Sequence, residues 1–286
     1  MSLSNPLVLS ADAPIGIFDS GVGGLSILHH VRAQLPHEHL IYFADSGHAP
    51  YGDKSEQYVV ERSLVIADFL LAQGVKALVV ACNTATVAAI KAVRARYPDL
   101  PVVGVEPGLK PGAAASKSGK VGVLATARTL AGEKFLLLRD QIADATHVEF
   151  LLQACVGLVN EIEKGDLKTP AIAAMLERYV APLLAQGADT LVLGCTHYPF
   201  VREGIEQVAR AHAAAPVTLV DTGEAVARQL VRLLEGANLL PSAPADGSAA
   251  AAAAPVLGYT TGSVAALESA FASLLGLHPE VRAVAP

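Results

Sequence analysis

The chain has 286 residues, with 21 basic and 27 acidic side chains and a formal net charge of −6. Apolar residues make up 52% of the chain and charged residues 17%, which excludes a disordered protein and is enough for one or two sizeable cores. The acidic balance predicts no direct binding to nucleic acid, and the lack of any apolar run of about 18–20 residues predicts no membrane span.

Short apolar runs alternate with longer helical patterns along most of the chain, which predicts an α/β fold with mostly parallel strands. Most strand candidates are continuously apolar, as expected of strands covered by helices on both faces. The predicted strands are Ile15–Phe18, Leu40–Phe43, Ala77–Ala81, Val102–Val105, Val121–Leu124, Val148–Leu152, Thr190–Leu193, Val217–Val220 and Val256–Tyr259. The predicted helices include Ser55–Gln73, Thr84–Tyr97, Thr169–Gln186 and Glu224–Leu234.

Nine strands are many for one open sheet, so the pattern favours two doubly wound, mostly parallel-sheet domains with a cleft between them. We expect residues 1–106 and 217–286 to form the first α/β domain and residues 107–216 to form the second. The chain should return to the first domain at Val217, because its strand–helix unit would otherwise lack a sheet to join. Pro111–Lys120 is interpreted as a domain junction, and the alanine-rich stretch Leu240–Pro255 as a variable surface insertion.

A weak internal repeat links two cysteine-containing segments. Leu78–Thr86 reads LVVACNTAT, and Leu191–Pro199 reads LVLGCTHYP. Each segment is an apolar strand followed by a small residue, a cysteine and a polar pair that opens a helix. The repeat predicts two domains related by pseudo-two-fold symmetry, with an active site in the cleft and one cysteine, Cys82 or Cys195, on each side of it.

The three cysteines are far apart and form no C-x-x-C pair, which argues against a disulfide framework or a structural zinc site and predicts a reducing, cytoplasmic location. Residues 1–14 also lack the features of a secretory signal. A helix N-terminus after a strand lowers the pKa of a nearby thiol from about 8.5, and this makes Cys82 and Cys195 candidate bases or nucleophiles. Cys155 lacks that placement and is interpreted as a small buried hydrophobic residue.

Other polar residues follow strand ends, where open α/β folds bind their ligands. The turn DSGVGG has neither dinucleotide nor P-loop spacing, so it is interpreted as a tight turn whose Asp19 and Ser20 face the cleft. His197 shares the loop of the second repeated cysteine, and this makes it a candidate general acid or base. By residue type alone, Glu161 and Glu163 are interpreted as solvated helix charges.

Four segments, FDSGVGGLSIL, YFADSGHAPYG, ACNTAT and LGCTHYPF, occur in this order between about Ile15 and Leu234. In these motifs the sequence resembles the glutamate racemases, enzymes that need no cofactor. The resemblance implies that Cys82 and Cys195 are paired acid/base catalysts, and that no metal takes part. It implies auxiliary acidic residues at Asp45 and Glu163. It further implies substrate contacts from Asp19, Ser20, Tyr51, Gly52, Asn83, Thr84, Thr196 and His197.

The implied reaction interconverts L-glutamate and D-glutamate and supplies D-glutamate for peptidoglycan synthesis. Racemisation removes the α-proton from one face and returns a proton on the other, so it needs two groups on opposite sides. Without a cofactor, fixed donors such as Asn83, Thr84 and Thr196 must stabilise the carbanion, while Asp19 could hold the α-ammonium or help to deprotonate a cysteine.

Three alternatives stay open at this point. A racemase for another acidic amino acid, such as aspartate, would share the two-cysteine arrangement. A hydrolase using Cys195 and His197 would need only one cysteine, and a non-catalytic protein that binds amino acids would need neither. The glutamate racemases often form homodimers, but the residues themselves leave the oligomeric state open.

Overall fold

The computed structural model describes residues 9–241 and 254–286. Within them, two wholly parallel sheets contain six and four strands, ordered β10-β9-β2-β1-β3-β4 and β6-β5-β7-β8. The strands are β1 (Ile15–Asp19), β2 (Leu40–Ala44), β3 (Ala77–Val80), β4 (Val102–Gly104), β5 (Lys120–Ala125), β6 (Glu149–Ala154), β7 (Thr190–Gly194), β8 (Thr218–Val220), β9 (Val256–Thr260) and β10 (Glu280–Ala283).

Helices connect these strands and cover both faces of each sheet. They are α1 (Leu25–Gln34), α2 (Glu56–Ala72), α3 (Asn83–Arg96), α4 (Leu109–Ala115), α5 (Ala127–Ala131), α6 (Glu133–Thr146), α7 (Leu158–Ile162), α8 (Pro170–Ala185), α9 (Arg202–His212), α10 (Gly223–Gly236) and α11 (Val264–Ala270). Ser55 and Thr169 cap α2 and α8, since each side chain accepts a hydrogen bond from the first turn of its helix. None of the helices in the described residues is long and apolar enough to cross a membrane.

Burial on both faces explains the continuously apolar strands. In β1, Ile15 and Ile17 belong to the core under α1 and α10, while Phe18 points to the opposite core under α2 and α3. In β7, Leu191 and Leu193 lie in one core and Val192 in the other. The α/β class and the nine predicted strands are confirmed, with ends that differ by one or two residues.

The two sheets repeat one strand order. The run β2-β1-β3-β4 in the first sheet has the same order as β6-β5-β7-β8 in the second. Strands β3 and β7, which precede the two repeated cysteines, therefore occupy equivalent positions. The topology supports the pseudo-two-fold relationship that the sequence repeat predicts, with β9 and β10 as an extension of the first sheet.

Two details differ from the sequence interpretation. Strand β8 pairs with β7, Leu191 opposite Leu219, so residues 217–220 complete the second sheet and do not join the first. The chain returns only with α10, which packs on α1. The proposed junction Pro111–Lys120 lies between β4 of the first sheet and β5 of the second. It includes part of α4, whose Gly112 packs closely against Val192 of β7.

The remaining difference is an unpredicted strand, β10, whose short sequence EVRA carries no apolar run. Among the described residues it pairs with β9 alone, at the edge of the sheet, so it needs less apolar surface than the central strands. Of the proposed alanine-rich insertion Leu240–Pro255, residues 242–253 lie outside the described residues.

Candidate active site

Loops at the carboxyl ends of both sheets meet around one cavity. In the first sheet β2 and β3 lie on opposite sides of β1, and in the second sheet β6 and β7 lie on opposite sides of β5. The strand order reverses at these points, and the reversal opens a crevice at the carboxyl ends of the strands. The cavity is narrow in this structure, with a volume of about 40 Å³, and it is partly open to solvent. Its lining includes Ser20, Tyr51, Gly52, Cys82, Asn83 and Thr84 from the first unit and Thr126, Cys155, Cys195, Thr196 and His197 from the second.

Cys82 directly precedes α3, at the helix N-terminus, and is buried and unbonded. Burial raises the pKa of this thiol well above its usual value, and the neighbouring Asp19 carboxyl raises the pKa further. The backbone N–H of Ala85, in the first turn of the helix, lowers the pKa but does not compensate. The expectation of a lowered pKa at Cys82 is therefore wrong, because desolvation outweighs the helix N-terminus.

Asp19 is the last residue of β1 and is fully buried beside Cys82. Its Oδ2 accepts a hydrogen bond of 2.7 Å from the backbone N–H of Gly24. Burial raises the pKa of this carboxyl, although interactions with His197 and Cys82 oppose the shift. Two acidic groups that are buried side by side cannot both ionise without a large cost in free energy. Asp19 is therefore well placed to exchange a proton with the Cys82 thiol.

Cys195 has a different set of partners. Its Sγ lies 3.7 Å from Nδ1 of His197, and Nε2 of the same ring lies 2.5 Å from Oε1 of Glu163. Burial lowers the pKa of the His197 imidazole, but the hydrogen bonds to Cys195 and Glu163 outweigh burial and raise the pKa well above its usual value. Burial has the opposite effect on Glu163 and raises the pKa of its carboxyl, but His197 outweighs burial and holds this pKa below its usual range. The imidazolium form is thus favoured beside the sulfur.

Glu163 also connects the two sides of the cleft. Its Oε1 accepts a hydrogen bond of 2.8 Å from the backbone N–H of Val22, in the turn after β1. A Cβ atom on Gly21 would lie 2.1 Å from this oxygen, and a Cβ on Gly23 would lie 2.2 Å from Nδ1 of His197. The glycines of DSGVGG therefore leave room for side chains from the opposite unit, and Glu163, but not Glu161, has this role.

Polar side chains that follow β3 line the cavity on the side of the first unit. Thr84 Oγ1 lies 3.1 Å from Thr126 Oγ1 and 3.3 Å from Thr129 Oγ1. Thr84 and Thr126 line the cavity, and Thr129 is fully buried behind them. Asn83 donates from Nδ2 to the carbonyl of Val105 at 3.2 Å. Its Oδ1 is buried without a hydrogen-bond partner among the described residues, which leaves this acceptor available to an N–H group of a ligand.

Asp45 does not line the cavity. It lies behind Tyr51, whose hydroxyl donates to Asp45 Oδ2 at 2.5 Å. Burial raises the pKa of the Tyr51 phenol, and Asp45 raises it further, so the phenol stays neutral and donates this hydrogen bond. Asp45 therefore supports a cavity residue and does not itself reach the cavity.

Sequence reasoning missed Thr126 and Thr129, and it did not expect Cys155 in the wall. Thr126 follows β5 just as Ser20 follows β1, so the repeated topology was the signal that could have found it. Cys155 follows β6, and burial raises the pKa of its thiol to about 12, while Tyr198 opposes the shift. In residues 9–241 and 254–286, no three His, Cys, Asp or Glu side chains cluster as metal ligands.

Comparison with known proteins assigns the chain to a family. The sequence model of the Asp/Glu/Hydantoin racemases matches residues 25–230. The chain belongs to this racemase family. It is 54% identical to glutamate racemase from Pseudomonas syringae pv. tomato over 243 residues, which cover 85% of this chain and 86% of the relative.

Solved racemase structures share the whole fold. Glutamate racemase from Francisella tularensis, in complex with D-glutamate, has a TM-score of 0.80 and 28% identity and covers 96% of this racemase and 98% of that chain. Escherichia coli glutamate racemase, in complex with L-glutamate and the activator UDP-MurNAc-ala, has a TM-score of 0.77 and 33% identity, with 95% and 97% covered. The expected two-domain racemase fold is therefore confirmed.

Proposed function

We propose that this racemase interconverts L-glutamate and D-glutamate by proton transfer between Cys82, Cys195 and the substrate Cα. The observation that carries the proposal is the pair of free cysteines after the equivalent strands β3 and β7, which line one cavity from different units. The relatives named glutamate racemase, and the two related structures with bound glutamate, support the choice of substrate.

In the proposed reaction, one cysteine as thiolate removes the α-proton and the other as thiol donates a proton to the opposite face. The electron pair of the broken C–H bond stays on Cα until the second proton arrives, so no oxidant or reductant is needed. Asp19 accepts or returns the proton of Cys82, and the His197–Glu163 pair does the same for Cys195. After one turnover the two sulfurs have exchanged protonation states, which fits catalysis in both directions.

The carbanion-like state needs stabilisation from fixed donors. Thr84, Thr196 and the N-terminus of α3 offer hydroxyl and backbone N–H groups to the substrate carboxylate. Tyr51 and Gly52 border the cavity on the side of the first unit. We propose that these groups act without a cofactor or metal and that the D-glutamate formed supplies peptidoglycan synthesis in the cytoplasm.

A circular-dichroism assay of the purified protein, with no cofactor added, tests the proposal. L-Glutamate and D-glutamate should each lose optical activity, and both aspartate enantiomers should stay unchanged. In D2O the product should acquire deuterium at Cα, because thiol protons exchange with solvent. Racemisation of aspartate alone would identify the aspartate alternative, and product that keeps the substrate hydrogen throughout would exclude the two-base route.

A further inference from the structure

The loop that carries Tyr51 is anchored by a residue near the other end of the chain. Thr261 follows β9, beyond residues 25–230 that the family model matches. Its Oγ1 donates to Asp45 Oδ1 at 2.9 Å and accepts from the backbone N–H of Gly47 at 3.0 Å. The Thr261 hydroxyl group thus donates one hydrogen bond and accepts another, and both partners belong to the loop that carries Tyr51.

Asp45 connects Thr261 to Tyr51, which lines the cavity. Its two oxygens accept four hydrogen bonds: from Thr261, from Nε and Nη2 of Arg62 at 3.0 and 2.8 Å, and from the Tyr51 hydroxyl. The carboxylate is fully buried, and its bidentate pairing with Arg62 fixes its plane. The orientation of the Tyr51 hydroxyl therefore depends on how Asp45 is held.

The contact between loop and C-terminal segment leaves no spare room. A Cβ on Gly47 would lie 2.6 Å from the carbonyl oxygen of Thr261, and one on Gly262 would lie 2.9 Å from Cβ of Ser46. The backbone N–H of Thr261 donates to Ala44 at 3.2 Å. The loop itself contains only two short 3₁₀ turns, Ser46–His48 and Tyr51–Asp53, so its position depends on such anchors.

We propose that Thr261 is a positioning residue for substrate binding. It holds Asp45 and Gly47 so that Tyr51 and Gly52 face the cavity, and it acts through the loop without touching the substrate. The inference rests on the proposed glutamate site, and it gives the C-terminal β9–α11 unit a part in that site.

Thr261→Val tests the inference, because valine keeps the shape and removes the hydroxyl. We expect KM for glutamate to rise about tenfold, as for the loss of two hydrogen bonds, with kcat within about twofold of the parent value. Thr261→Ser keeps the hydroxyl and should restore KM. Thr146→Val is the matched control, since the Thr146 hydroxyl donates to Ile142 in α6, outside the cavity lining.

Two further measurements separate positioning from general stability. If Thr261 acts through Tyr51, then Thr261→Val should raise KM far less in a Tyr51→Phe background, so that the two effects are not additive. Hydrogen exchange of residues 46–53 should accelerate in Thr261→Val and not in Thr146→Val, whether or not glutamate is the substrate. An unchanged KM in an active Thr261→Val enzyme, failure of serine to rescue, or unchanged loop exchange would overturn the inference. A parent enzyme inert toward glutamate would instead refute the proposed function, and the exchange measurement would still decide whether Thr261 anchors the loop.

Discussion

Cys82 and Cys195 differ in their ionisable neighbours, a carboxyl beside the first sulfur and an imidazole–carboxylate pair beside the second. If each face of the substrate needs its own proton carrier, then Cys82→Ala and Cys195→Ala should each reduce racemisation by roughly 10²–10⁴-fold. Cys155→Ala is the control, because its thiol lies in the same wall but is assigned no proton. Circular dichroism gives the rates, and a folded but inactive Cys155→Ala enzyme would contradict these roles.

The His197–Glu163 pair predicts a specific pH dependence. The hydrogen bonds of His197 to Cys195 and Glu163 raise the pKa of His197, so its proton persists to higher pH than that of an ordinary histidine. Glu163→Gln removes the negative charge, and the pKa of His197 should fall. We therefore expect the alkaline limb of kcat/KM to move to lower pH.

Glu161→Gln is the matched control for this change, since Glu161 pairs with the exposed Lys164 and leaves His197 untouched. Its pH profile should follow that of the parent enzyme. Equal profiles for Glu163→Gln and the parent would show that Glu163 does not set the ionisation of His197.

Glu161 and Glu163 show how far the sequence alone can identify a functional residue. Both lie within three positions in one helical stretch, and composition cannot distinguish them; the resemblance to the glutamate racemases selected Glu163. The pKa of Cys82 could not be foreseen either, since the position at a helix N-terminus is readable from sequence but the degree of burial is not.

At the scale of elements, the turn between β1 and α1 must leave room for the side chains of Glu163 and His197, which pack against it. Gly21→Ala would drive a methyl group into the Glu163 carboxylate and displace His197 with it. We expect kcat/KM to fall roughly 10–100-fold, because small displacements of catalytic groups are costly, and the free energy of unfolding to fall by about 1–3 kcal/mol from overpacking. Steady-state kinetics and urea unfolding measure the two effects.

Gly236→Ala provides the comparison, since a Cβ at the end of α10 meets no atom within 4 Å. That variant should keep full activity and gain up to about 1 kcal/mol of stability from helix propensity. If Gly21→Ala behaved in the same way, the close approach of Glu163 to the turn would not matter for catalysis.

Strand ends were predictable because apolar runs and turn residues bound them, and parallel topology then places their loops at one edge. The strand that pairs with β8 was not predictable, because its three residues, TLV, fit either sheet. Only the pairing of Leu219 with Leu191 in the structure assigns β8 to the second sheet. Thr126 was missed for a related reason, since a threonine after a strand is common and only the repeated strand order gives it meaning.

At the scale of the whole molecule, the two edges of the first sheet have different tasks. The carboxyl edge holds Asp19 and Cys82, whereas the amino edge holds a buried ion pair between Lys76 and Glu38, with Nζ and Oε2 2.7 Å apart. Lys76 precedes β3, is fully buried, and also donates to the carbonyl of Ala11. Burial raises the pKa of Glu38, and Lys76 opposes that shift.

Lys76→Met should therefore leave a buried carboxylate without its cation and lower the free energy of unfolding by about 3–5 kcal/mol. The kcat/KM of the folded enzyme should not change, because the amino edge of the sheet is opposite the cavity. Lys120→Met removes a half-buried lysine that lies 3.7 Å from Glu149 and donates to the carbonyl of Gln186. This change should cost no more than about 1 kcal/mol. Urea unfolding and kinetics under native conditions give both quantities. A loss of kcat/KM in Lys76→Met that exceeds the loss of folded protein would mean that the amino edge also influences the chemistry, and the division of tasks between the two edges would fail.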